Sequence, residues 1–387
     1  MSKKIKVIVV TGNRADYGLL YWTLKELKNS KKFTLKLVVT GSHLSNKHGL
    51  TMNQIIKDKF KISKKIKLDL KLDGEKDISN SLAIGIKKFS IYFEKQRPDL
   101  ILILGDRYET FASAVAAYIS RIPIAHVHGG ETTRGAFDEA FRHSITKMSH
   151  LHFTTTDIYK KRVIQLGEAP NTVLSVGAPG IENIKRIKLF KLEDLESEIN
   201  FQFNKRNLLI TYHPVTLENH TTKYQIKNLL ASLDKLKNTN LIFTKSNVDT
   251  GGSTINNTIK VYVESNKNKA ILFSSLGSKR YLSILKYVDG IVGNSSSGII
   301  EAPSLRVGTV NIGDRQLGRV QAASIINTSN SEKDITKAIK KLYTKKYTDL
   351  LLKVINPYGS GNVAKKIVNK IVHTDFTKLI KKKFHDI

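Results

Sequence analysis

Short runs of branched apolar residues, each stopped by glycine, proline or a polar turn, alternate along the chain with longer amphipathic stretches. Ile5 to Val10 predicts a buried strand, and TGNRADYGLL a turn that opens a helix running to about Asn29. Thr34 to Thr40 predicts the second strand, ending in GSHLS, and Lys57 to Lys71 a helix end followed by a short strand. Helical spacing from Ile78 to Gln96 leads through Arg97-Pro98-Asp99 into a strand at Ile101 to Leu104. A small-residue helix (Phe111 to Ile119) and strands at Ile122 to Val127, Leu151 to Thr155 and Val173 to Val176 follow, with a helix at Ile158 to Leu166. Strands alternating with helices imply a parallel, doubly wound sheet.

At GAPG, the turn residues Gly177, Pro179 and Gly180 mark a boundary, after which the chain is polar, charged and helical to about Asn204. A second series then begins: NLLITYHP, a helix from about Lys223 to Asn238, LIFTKSNVDTGG, Ala270 to Ser274, a helix from Arg280 to Val288, GIVGNSSSGIIEAPSL, and Thr309 to Ile312 ending in GDRQLGRV. A length of 387 residues exceeds one ordinary core, so two domains are expected, 1–180 and 181–361. NPYGSG then precedes a basic amphipathic helix.

The formal net charge of +31 changes this picture little. Lysines are spread over every predicted surface face, with no aromatic-interleaved basic stripe and no nucleic-acid motif, so the charge describes solvated faces and argues against nucleic acid as a partner. It does favour an anionic substrate. Absence of cysteine excludes disulfides and thiolate metal sites and is compatible with the cytoplasm. The apolar part of the basic N-terminus, Val7 to Val10, is too short for a signal peptide or a membrane span.

Unusual chemistry concentrates in residues 101–143, ILILGDRYETFASAVAAYISRIPIAHVHGGETTRGAFDEAFRH. Ligands of open α/β sheets lie beyond the carboxyl ends of the strands. Two strand ends therefore present Asp106, Arg107, His126, His128 and Glu131 to one crevice, with Asp138, Arg142 and His143 on the next helix. Several acids at one crevice suit proton transfer. A metal is disfavoured because no HExxH or carboxylate cage completes the histidines, and no GxGxxG supports a nicotinamide cofactor. In TGNRADYG, Arg14 at a helix start either receives phosphate or belongs to an ordinary turn, and His43 reads as a loop-structuring side chain. GNSSSGIIE combines three hydroxyls and a helix N-terminus, a phosphate cradle, with Glu301 placed to accept both hydrogens of a ribose diol. Arg315 and Arg319 either clamp the same diphosphate or pair with surface carboxylates.

TGNRADYG, GDRYE, HVHGGE, the DExxRH of Asp138 to His143, YHP, GNSSSGIIEAPSL and INIGDRQLGR occur in this order over about 300 residues. Together they resemble the hydrolysing UDP-N-acetylglucosamine 2-epimerases of bacterial sialic acid synthesis and the related legionaminic acid enzymes. The resemblance implies two Rossmann-like domains facing a cleft, as in the glycosyltransferase-B fold, with the last helix, about 362–387, crossing back to the first domain. It implies an activity without external cofactor: conversion of UDP-N-acetylglucosamine to N-acetylmannosamine and UDP through a 2-acetamidoglycal. The alternative substrate is a UDP- or GDP-linked 2,4-diacetamido-2,4,6-trideoxy sugar. By the same resemblance Asp106, Glu131, Asp138 and His213 are expected to be catalytic. Arg14, Arg107, His128, Arg142, Asn247, Ser295, Ser296, Glu301 and Arg315 are expected to bind substrate. Many family members carry Glu where this chain has His128; the sialic-acid branch shares the HxHGGE form, which leaves the proton role open between His128 and Glu131. A homo-dimer or tetramer is implied as well. A glycosyltransferase of the same architecture is the nearest competitor, but it has no need of the acid cluster.

Overall fold

The computed structural model describes residues 3–46, 49–69, 75–133, 138–214, 221–246 and 252–387. The chain forms two compact units. The first comprises the described residues up to Glu131, those from Asp138 to Glu182, and Gly361–Ile387; the second comprises Thr132, Thr133 and the described residues of Asn183–Ser360.

The first unit holds seven strands: β1 (Ile5–Thr11), β2 (Phe33–Thr40), β3 (Ile62–Ile66), β4 (Leu100–Leu104), β5 (Ile124–Val127), β6 (Leu151–Thr154) and β7 (Val173–Ser175). They form one sheet in the order β3-β2-β1-β4-β5-β6-β7, every neighbouring pair parallel. The near-continuous apolar runs of β1 and β4 follow from this position, since a central parallel strand is covered on both faces. Val7 and Val9 face one core cluster while Ile8 and Val10 face the other. On the first face, Leu20, Leu24 and Leu27 of the helix Arg14–Asn29 pack with Val363, Ile367 and Ile371 of the helix Val363–Val372. Both sets follow helical spacing, and each such side chain contributes about 1.5–3 kcal/mol by leaving water. The C-terminal helix thus belongs to the first unit's core.

The second unit repeats the plan with β8 (Arg206–Thr211), β9 (Thr239–Thr244), β10 (Ala270–Phe273), β11 (Gly290–Gly293), β12 (Gly308–Ile312) and β13 (Ile325–Thr328), ordered β10-β9-β8-β11-β12-β13 and parallel throughout. In each sheet the strand sequence runs outward from β1 or β8, then restarts on the other side at β4 or β11. That reversal is the topological switch point, where open α/β sheets present their ligand crevice.

After Val176, Pro179 opens a helix, Pro179–Arg186, as its preset φ permits at a first helical position. The first unit extends to Glu182 within that helix. Strand β13 and the helices Gly252–Ser265, Glu332–Leu342 and Lys345–Leu352 are additional to the sequence reading. The helix Gly252–Ser265 is rich in Thr, Asn, Ile and Val, poor helix formers, and is held by burying Ile255 and Ile259 on one face. Among the described residues, no helix is long and apolar enough to cross a membrane.

Candidate active site

At the switch point of the first sheet, the loops after β1 and β4 meet the loop after β5. Asp106, in the loop after β4, is paired with Arg142 of the helix Asp138–Met148. Arg142 lies 3.7 Å from Glu131 through Nη1 and 3.9 Å from Glu139 through Nε, and its side chain is 3% exposed. Glu131 is buried; its Oε1 lies 2.9 Å from His128 Nδ1 and accepts from Thr155 Oγ1 at 2.9 Å. One arginine therefore sits among three carboxylates, and beyond Glu131 a histidine closes the row.

The HVHGGE turn is built to make this row. His128 adopts φ +70°, a left-handed conformation that is costly for a side chain of its size. Gly130 follows at φ +76°, where a Cβ would lie 2.6 Å from the Tyr159 carbonyl oxygen. The reversal turns the His128 ring back to Glu131. Its Nε2 is buried and has no hydrogen-bond partner among the described residues, which leaves a ring nitrogen available to a ligand.

His126 is not part of that crevice, contrary to expectation. It lies inside β5, fully buried, with Nε2 2.8 Å from the Gly105 carbonyl and Nδ1 3.2 Å from Thr146 Oγ1. Burial pushes its pKa down to about 3, so it is a neutral strut beneath the Asp106 loop. His143 pairs with Glu139 at 3.4 Å, on the same helix. Asp138 opens that helix one turn before Arg142 and is half-buried. His43 has the structural role expected of it: buried, 3.0 Å from Thr11 Oγ1 and 2.7 Å from Thr51 Oγ1, and pushed by burial to about 4.

The same crevice holds two acids that the sequence reading passed over. Glu109 is buried at the start of the helix Tyr108–Ile119; its Oε1 accepts from Arg107 Nε at 2.9 Å, while Oε2 has no hydrogen-bond partner among the described residues. A Cβ on Gly12 would lie 2.6 Å from Glu109 Cγ, and one on Gly41 would lie 3.0 Å from Oε1, so both glycines admit the carboxylate. Asp16 lies in the first turn of Arg14–Asn29, beyond the N-cap Asn13, whose side chain accepts from the Asp16 N–H at 3.0 Å. Its pKa is raised to about 7 by burial and by Glu109 and Asp106, against the lowering influence of Arg107 and the Asn13 amide. Both acids stand inside quoted motifs, TGNRADYG and GDRYE; their burial was the missing signal. Arg14 is the first residue of its helix and reaches the surface.

In the second unit, the loops after β8 and β11 occupy the corresponding position. Asn294 is buried and clamps the His213 backbone from both sides, accepting from its N–H at 2.7 Å and donating to its carbonyl at 2.8 Å. His213 is buried, its Nδ1 3.4 Å from Ser246 Oγ; burial first, then Arg315, push its pKa down to about 3. Ser295 caps the short helix Ser296–Ile300 by accepting from the Ser297 N–H, so of the three hydroxyls it is the one engaged in the cap. Ser296 and Glu301 are half-buried, and Tyr281 faces Ser297 and Glu301. Gly298 lets this helix close on β12, since a Cβ there would lie 2.7 Å from Thr309 Cγ2. Arg315 Nη1 and Gln316 Nε2 both donate to the Asn294 carbonyl, at 3.1 and 2.8 Å. Arg319 donates to Thr132 O at 3.1 Å and Thr133 Oγ1 at 3.2 Å. Asn247 lies outside the described residues.

Comparison with known proteins bears directly on this arrangement. A protein of Campylobacter jejuni named GDP/UDP-N,N'-diacetylbacillosamine 2-epimerase (hydrolyzing) is 43% identical over 347 residues, 90% of this chain and 89% of that protein. Polysialic acid biosynthesis protein P7 of Escherichia coli is 39% identical over 383 residues, 98% of this chain and 96% of its own length. The crystal structure of UDP-GlcNAc 2-epimerase from Neisseria meningitidis bound to UDP-GlcNAc aligns with a TM-score of 0.82 at 19% identity, covering 96% of this chain and all of that one. That likeness shows that the two parallel α/β units are those of a known epimerase fold, of the glycosyltransferase-B type. The family described as UDP-N-acetylglucosamine 2-epimerase matches residues 25–372, and the chain belongs to it.

Proposed function

We propose that this enzyme is a hydrolysing 2-epimerase of a nucleotide-linked 2-acetamido sugar, releasing the free 2-epimer and the nucleoside diphosphate. The observation that carries this reading is the Asp106–Arg142–Glu131–His128 row, which gathers two carboxylates and a histidine about one buried arginine. Such a row suits removal of a weakly acidic C–H proton and its later return. A glycosyltransferase has no use for it.

In the proposed reaction a carboxylate takes the C2 proton while the C1–O bond to the diphosphate breaks, leaving a 2-acetamidoglycal. Water then adds its oxygen to C1 and a proton is delivered to C2 on the opposite face. The sum is hydrolysis with inversion at C2. No electron leaves the sugar, so no redox cofactor is required. Asp106 serves as one acid/base and the Glu131–His128 pair as the other, with Asp138 near the helix start as a further proton-handling group. Arg14, Arg107 and Arg142 offer positive charge to the substrate. His213 is neutral at physiological pH and assists the leaving diphosphate by hydrogen bonding. Ser295, Ser296, Asn247 and Arg315 hold the nucleotide, and Glu301 the ribose.

A UDP- or GDP-linked 2,4-diacetamido-2,4,6-trideoxy sugar is the favoured substrate, on the 43% identity to the Campylobacter jejuni protein. UDP-N-acetylglucosamine, for sialic acid synthesis, is the second reading, on the likeness to the polysialic acid protein. Incubation of the enzyme with each candidate in deuterated water, followed by NMR, separates them. The true substrate gives free 2-epimer carrying deuterium at C2 together with UDP or GDP. Asp106→Asn is expected to abolish turnover while leaving UDP binding nearly intact. Turnover that requires an added acceptor sugar would overturn the reading in favour of a transferase.

A further inference from the structure

The helix Asp138–Met148 carries Asp138 and Arg142, and its far end is closed by residues remote in sequence. A helix leaves its last four carbonyls without partners of its own. Here Ile145 O accepts from Ser149 Oγ at 2.7 Å, and Thr146 O from the Ser149 N–H at 3.0 Å. Lys147 O accepts from Lys382 Nζ at 2.6 Å; the same ammonium donates to Ser149 O at 2.7 Å and meets Glu168 Oε2 at 2.6 Å. An ammonium there also faces the negative end of the helix dipole. Lys382 belongs to residues 380–387, which follow the short helix Phe376–Leu379 and form neither helix nor strand, yet they are seated at two further points. His385 N donates to Gly167 O at 3.0 Å. The Phe384 ring covers Gly167, at φ +83°, where a Cβ would overlap it, and Lys147 Nζ lies 4.7 Å from the ring centroid.

The closed end of this helix reaches the Asp106 loop by two routes, both inside the first unit. Thr146, in the last turn, lies 3.2 Å from His126 Nδ1, and His126 Nε2 lies 2.8 Å from the carbonyl of Gly105, the neighbour of Asp106. Arg142, one turn earlier, is paired with Asp106 itself. From this geometry we propose that Lys382 is a positioning residue: with Phe384 it clasps the helix end, and so holds Arg142 and the Asp106 loop in place for proton transfer. The inference rests on the epimerase reading and deepens it, by assigning residues 380–387 to the upkeep of the acid row. Three acceptors converge on one nitrogen, which matches the three donors of a compact ammonium and not the flat fork of an arginine.

The test uses the full chain with K382M, K382R, F384A and, as a charge control, K383A. K382M keeps the apolar stem and removes the charge; K382R and F384A loosen the clasp less, so a folding defect in K382M does not end the test. Each is assayed, at a temperature where all are folded, for kcat and KM on the NMR-identified sugar, and for hydrogen exchange in peptides spanning 138–149 and 101–108. Misplacing a reacting group by about 1 Å costs on the order of 100-fold in rate, so a looser hold one to two turns away is expected to lower kcat on the order of tenfold in K382M. KM should stay within about twofold of wild type, K382R and F384A should fall less far, and K383A should match the wild type. Exchange is expected to quicken in K382M at the helix end and also in the Asp106 loop, which a purely local structural role would leave alone. Unchanged kcat in folded K382M, quickening confined to 138–149, or an equal loss in K383A would each overturn the proposal. Absence of turnover by the wild type on every sugar would sink the epimerase reading alone, since the exchange comparison reads the clasp without turnover.

Discussion

Asp16→Asn isolates the electrostatics of the acid crevice. Burial and the facing carboxylates of Glu109 and Asp106 outweigh Arg107 and the Asn13 amide, raising the Asp16 pKa from 3.8 to about 7. The fold therefore favours its neutral form. Stability from this group is fullest below pH 3.8, falls as pH rises towards 7, and levels off above that. The gap, at about 1.4 kcal/mol per pH unit, sets a ceiling of roughly 4 kcal/mol on the cost of ionised Asp16. Its half-buried position makes the expected value smaller, about 2–3 kcal/mol. Asparagine keeps an acceptor for the Asn13 amide and carries no charge. Urea unfolding followed through Trp22 reports the first unit, since Trp22 is the chain's one tryptophan and lies on the Asp16 helix. The two proteins should match near pH 4 and diverge until D16N is the more stable at pH 8, with unchanged urea slope. Histidines titrating in this window do so in both proteins and cancel in the difference. A wild-type minus D16N difference that is flat from pH 4 to 8 would refute the reasoning.

Arg142→Leu leaves Asp106 and Glu131 without their shared cation at a site only 3% exposed. Trp22-monitored urea unfolding should show a loss of about 3–5 kcal/mol. Glu168 is buried against His152, Lys147 and Lys382 at 2.9, 2.9 and 2.6 Å; burial alone would raise its pKa, but these partners hold it at about 2 instead of 4.5. Its stabilisation is present above pH 4.5 and lost as pH falls towards 2, so Glu168→Gln should flatten the acid limb of the stability profile by roughly 3 kcal/mol. Asn294→Ala unclamps the His213 N–H and carbonyl, and should cost the second unit about 2 kcal/mol in thermal unfolding. Glu301→Ala should weaken UDP binding roughly tenfold in calorimetry while leaving kcat near wild type.

The alternation of short apolar runs with amphipathic stretches determined the doubly wound character of both sheets, because a parallel strand buried on both faces must be apolar throughout, as β4 is. The positions of Asp106, Glu131 and His213 at strand ends were legible for the same reason, since strand-to-helix loops carry the polar residues of such folds. The helix Gly252–Ser265 was not, because its β-branched and Asn-rich sequence favours it only once Ile255 and Ile259 are buried. Tertiary structure alone decided what each charged group does. His126 and His128 are two residues apart on one motif, yet a left-handed turn sends one into the core and the other to Glu131. Arg315 and Arg319 share one turn, yet only packing assigns the latter to Thr132 and Thr133. Side-chain periodicity is a local property and can be read along the chain; burial and charge pairing depend on neighbours distant in sequence and arise only when the chain is folded.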